Sequence, residues 1–75
     1  MEASKLVYTL NEAEVRTGID RDGLRLLIGW GKLPVLQAGR RMVIRRDVME
    51  AFLEANRGRN LMKRDEVLAV RYGEL

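Results

Sequence analysis

The sequence predicts a mainly α domain that carries a small β-hairpin. Two short amphipathic segments, each opened by a capping residue, are separated by little more than Gly18-Ile19. A glycine turn, Ala38-Gly39-Arg40, separates two β-favouring runs. A further amphipathic segment follows, with Val48, Met49, Phe52 and Leu53 recurring at i, i+1, i+4 and i+5.

Lys5 to Thr9 is β-favouring and reads as a short strand or an extended lead-in. Thr9-Leu10-Asn11-Glu12 is a capping-box pattern: the Thr hydroxyl accepts from the backbone three residues on, and Glu12 reaches back. The first helix should run from Leu10 to Thr17, its small apolar face drawn from Leu10, Ala13 and Val15. Gly18 suits a left-handed helix end, and Ile19 plugs the turn from inside.

Asp20 caps a second helix, expected over Arg21 to Gly31. At about 100° per residue, Leu24, Leu27 and Ile28 share the core face. Arg21, Asp22, Arg25 and Gly29 share another arc, and Leu26 and Trp30 extend the apolar surface around the far side. Gly31 and Pro34 stop the helix. Val35-Leu36-Gln37 and Met42-Val43-Ile44 read as the two strands of the hairpin. Met42 and Ile44 alternate inward, while Arg41 and Arg45 take the outer parity with Val43. A third helix should run from Arg46 or Asp47 to about Arg57, stopped by Gly58. Residues 1–58 thus form one domain, and 59–75 a tail expected to be helical, with Leu61, Leu68 and Leu75 at seven-residue spacing.

Composition excludes several functions. A chain of 75 residues is one domain of modest stability. With neither Cys nor His, disulfides, thiolate or imidazole metal sites and His-based catalysis are ruled out. No cofactor or metal is expected, and the chain is not expected to be an enzyme. No apolar run approaches the ~20 residues of a membrane span, and no signal peptide is seen, so an intracellular protein is expected.

Charge is concentrated. From Val15 to Arg46 eight basic residues face two acids, a net +6, whereas the whole chain carries +3. A basic block between near-neutral flanks is the footprint of a nucleic-acid binder. Helix, tight turn and helix have helix-turn-helix spacing, which puts Arg21, Asp22, Arg25 and Gly29 on a DNA-reading face. Gly39, Arg40, Arg41, Arg45 and Arg46 form a basic wing suited to phosphates or the minor groove.

From Thr9 to Leu53 the residues resemble the excisionase-type helix-turn-helix domains, relatives of the MerR-like winged helices. The resemblance is carried by Thr9, Glu12 and Ala13, Gly18-Ile19-Asp20-Arg21, Leu27-Ile28, Gly31-Lys32-Leu33-Pro34, Gly39-Arg40-Arg41, Ile44, Arg46-Asp47 and Glu50-Ala51-Phe52-Leu53. It implies a winged helix-turn-helix and, most closely, a phage excisionase, or recombination directionality factor. Such a protein binds attachment-site DNA as cooperative arrays, bends it, and biases an integrase towards excision in the bacterial cytoplasm. A small transcriptional regulator and a protein-interaction adaptor are the competing readings.

Leu26 and Trp30, with Leu61, Val67, Leu68 and Tyr72 in the tail, are an apolar surplus that the basic domain does not need. They form either a head-to-tail self-association surface on DNA or a contact made within one subunit.

Overall fold

The computed structural model describes residues 6–71. The element order is β1 (Val7–Thr9), α1 (Leu10–Thr17), α2 (Arg21–Gly29), β2 (Leu36–Ala38), β3 (Arg41–Arg45) and α3 (Arg46–Ala55). This is a winged helix-turn-helix. The hairpin β2–β3 gains a third strand, β1, and the antiparallel sheet has the order β1-β3-β2. Tyr8 lies opposite Ile44, and Thr9 and Leu36 both lie opposite Val43. A two-stranded ribbon is marginal alone. Here β3 is paired on both edges and its Ile44 is fully buried.

The capping box forms as the sequence predicts. The Thr9 hydroxyl accepts from the Glu12 N–H at 3.2 Å, and the Glu12 carboxylate accepts from the Thr9 N–H at 2.9 Å. Gly18 closes α1 at φ 81°, a conformation that favours glycine, and its N–H donates to the Glu14 carbonyl. Val15 does not join the apolar face; it is 83% exposed, and only Ala13 of α1 is fully buried. The Asp20 side chain accepts from the Gly23 N–H at 2.8 Å and caps α2. That helix stops two residues earlier than the sequence suggests, because the N–H groups of Gly31 and Lys32 turn back to the carbonyls of Ile28 and Leu27. The strand β3 passes straight into α3, with Arg45 as the N-cap residue.

Phe52, Leu24, Leu27, Leu33, Ile44, Val48, Met49 and Val67 are the largest side chains removed from solvent. Burying each is worth about 1.5–3 kcal/mol. One of them, Val67, belongs to the tail, and Val70 joins it at 6% exposure. The tail is not a helix; 59–71 runs as linked turns and extended chain. It folds back on its own domain. The Val70 N–H donates to the Lys32 carbonyl, and the Asn56 side chain holds the backbone of Leu68.

These contacts correct the self-association set. Val67 is core and offers no free apolar surface, and Trp30 and Leu61 are half-buried against that core. Leu26 and Leu68 remain exposed at 49% and 43%. Tyr72 lies outside the described residues.

Candidate nucleic-acid interface

The Asp20 cap fixes where α2 begins, so Arg21 and Arg25 project one turn apart from its exposed arc. On the other side, Gly39 turns the hairpin at φ 66°, its carbonyl accepting from the Gln37 side chain at 3.1 Å. Arg40 and Arg41 follow at the exposed tip. The β1–β3 pairing brings the first residues of α1 beside the wing. The result is an open cleft lined by Arg21 and Arg25 from α2 and by Arg40, Arg41 and Met42 from the wing, with Thr9, Leu10 and Asn11 completing it.

Two of the four cleft arginines have acidic neighbours. Arg21 Nε lies 3.5 Å from Glu14 Oε1, and Arg25 Nη1 lies 3.6 Å from Asp22 Oδ1. Both pairs are solvent-exposed, and such pairs are worth about 0–1 kcal/mol, so a phosphate or base edge can displace the carboxylate. Arg40 and Arg41 have no acidic partner among the described residues. A cleft with four guanidinium groups and no buried counter-charge is suited to a polyanion, with planar forks that match phosphate or guanine.

Asp22 stands on the α2 arc as the sequence suggests, where its visible role is to hold Arg25. Gly29 ends the same arc with nothing within 4 Å of where a side chain would begin, so its backbone is open to approach. Gly39 shapes the tip. Arg45 and Arg46 do not enter the cleft. They line a separate depression with Leu6, Val7, Leu36 and Asp47. Arg45 bonds Asp47, and Arg46 Nε lies 3.8 Å from Glu50 Oε2. At the junction of β3 with α3 these two guanidinium groups are drawn to helix carboxylates rather than to the wing tip.

Thr9, Leu10 and Asn11 escaped sequence reasoning as site residues, because only the non-local pairing of β1 with β3 carries them to the cleft. Gly23 also escaped it. It is buried where α2 meets the tail, and a methyl there would stand 2.9 Å from Asp20 Oδ1 and 3.4 Å from the Met62 methyl.

Fold and cleft together define a winged helix-turn-helix with a basic reading face. A family model described as a helix-turn-helix domain matches residues 7–57, and the chain belongs to that family. No curated protein and no solved structure matches it. The family and the cleft support DNA binding. Among the described residues no helix is long and apolar enough to cross a membrane, and no group of three or more His, Cys, Asp or Glu could hold a metal ion.

Proposed function

We propose that the chain is a sequence-specific, DNA-bending excisionase. It binds attachment-site DNA cooperatively and directs a phage integrase towards excision in the bacterial cytoplasm. The observation that carries the DNA part is the single cleft shared by Arg21, Arg25, Arg40 and Arg41. It lets α2 sit in the major groove while the wing grips the adjacent backbone or minor groove. The excision part rests on the excisionase-type pattern from Thr9 to Leu53. The chain does no chemistry in this reading; it shapes the DNA on which the integrase acts. Adjacent copies follow head to tail along the duplex, sharing exposed apolar side chains such as Leu68.

The test is excision in vitro with a cognate integrase and its attachment sites. Excision that rises only when the chain is added supports the reading. Binding confined to one palindromic operator, with no integrase responding, makes the chain a small transcriptional regulator instead. Failure to bind any duplex at low salt leaves the adaptor reading.

A further inference from the structure

The loop from Asn60 to Glu66 lies beyond the residues matched to the family, yet it is built against α2. Its Met62 methyl reaches the Gly23 position near the helix N-terminus. At about 100° per residue, Gly23 points roughly 160–200° away from Arg25 and Arg21. Those two arginines line the cleft shared with the wing. Loop and wing therefore flank α2 on opposite sides, with the exposed arc of Arg25, Gly29, Asp22 and Leu26 between them.

The loop is closed by its own polar groups. The Glu66 carboxylate accepts from the Asn60 N–H at 2.8 Å, and the Asn60 side chain accepts from the Met62 N–H at 3.0 Å. The Lys63 N–H donates to the Asn60 carbonyl, and the Lys63 carbonyl accepts from Glu66 and Val67. This leaves Lys63 and Arg64 side by side and exposed, with no ion-pair partner among the described residues. The exposed carboxylate of Asp65 is the nearest opposing charge in sequence, and the Glu66 carboxylate is engaged by the Asn60 amide. Arg59 shares the same shallow surface, with its guanidinium donating to the Glu66 carbonyl at 3.3 Å.

We propose that Lys63 and Arg64 form a second phosphate-binding arm, which grips the DNA backbone on the flank of α2 opposite the wing. The inference rests on the reading of α2 as the helix that enters the groove. With α2 in the major groove, the strands bordering that groove run along its two sides. The wing meets one strand and the loop meets the other. The hydrogen-bonded loop supplies the rigid base that lets two cations hold phosphates without first being ordered.

The test uses the full chain and a fluorescein-labelled duplex of about 30 base pairs of random sequence, titrated over a series of salt concentrations. Each phosphate contact contributes about 0.9 to the slope of log affinity against log salt. The K63Q/R64Q variant should keep the circular dichroism spectrum of the unaltered chain and lose about 1.8 from that slope. The R71Q control, which also removes one exposed positive charge, should leave the slope within the error of the unaltered chain. An unchanged slope in K63Q/R64Q overturns the arm alone and leaves the loop as a surface for a protein partner. A loss from R71Q equal to that from either single variant, K63Q or R64Q, overturns it too, because the effect is then general electrostatics. If the unaltered chain binds no duplex at low salt, the arm and the DNA reading fall together.

Discussion

The side chain of Asn56 and the backbone of Leu68 exchange two hydrogen bonds across twelve residues of chain. Asn56 Nδ2 donates to the Leu68 carbonyl at 3.0 Å, and Asn56 Oδ1 accepts from the Leu68 N–H at 2.7 Å. The same amide donates to the Phe52 carbonyl, and Asn56 is 4% exposed. A carboxamide presents a donor and an acceptor side by side, so it pairs with a backbone as another strand would. This clasp joins the end of α3 to the tail.

Asn56→Ala should therefore destabilise the domain by about 2–3 kcal/mol, because it leaves the N–H and C=O of Leu68 unpaired in a partly buried place. Urea denaturation measures it. Deleting residues 61–75 removes buried Val67 and Val70 together with the clasp and should leave a chain without a cooperative unfolding transition. A truncated chain that melts like the full one would show that the tail is not part of the core.

Two glycines of α2 should respond to the same substitution with opposite signs. Gly29→Ala has open space and should raise stability by up to about 1 kcal/mol through helix propensity. Gly23→Ala would push a methyl against Asp20 Oδ1, which caps the helix, and against Ile19 Cγ2 at 3.2 Å. It should cost about 1–3 kcal/mol. Thermal unfolding of the two variants checks the contrast, and equal shifts would contradict the packing at Gly23.

At the wing, Arg40→Ala combined with Arg41→Ala should weaken binding to all duplexes and lower the salt slope by about 1.8. An unchanged slope across a salt series would mean that the tip does not face DNA.

On α2, Arg25→Ala is expected to cost about 1–3 kcal/mol of discrimination between specific and random duplex, the value of a bidentate guanine contact. Competition binding with both duplexes gives the number. An equal loss on each would make Arg25 a phosphate contact only.

The helices were legible because their signals are local. Thr9 with Glu12 and Asp20 with Gly23 sit three residues apart, and the stripe of Val48, Met49 and Phe52 repeats within two turns. The wing was legible from Gly39. What the chain hid depends on distant partners. The pairing of Tyr8 with Ile44 spans most of the domain and turns a lead-in of uncertain form into a strand. The tail misled because Leu61 and Leu68 repeat like a helix face, whereas a backbone clasp from Asn56 holds this segment as turns. Arg45 and Arg46 were counted with the wing for their charge, although their partners are local: Asp47 is two residues on from Arg45, and Glu50 is one helical turn on from Arg46.

The placement of β3 has a mechanical consequence. It is bonded to β1 on one edge and β2 on the other, and it enters α3 without a linker residue. The strand that carries Arg41 is thus continuous with the frame that carries α1: β1 holds it at Val43, Ile44 and Arg45, and from Met42 to the tip it pairs with β2 alone. A hairpin anchored at its base in this way is expected to limit how far its arginines can move relative to those of α2. If the chain binds DNA as proposed, a duplex whose groove width does not match the span between those two sets of arginines would be favoured to deform. Steps that kink at low cost, such as TA and CA/TG, would then be favoured at positions that no side chain touches. Stiffness at the base of the wing would then act as a sensor of flexibility in the nucleic acid.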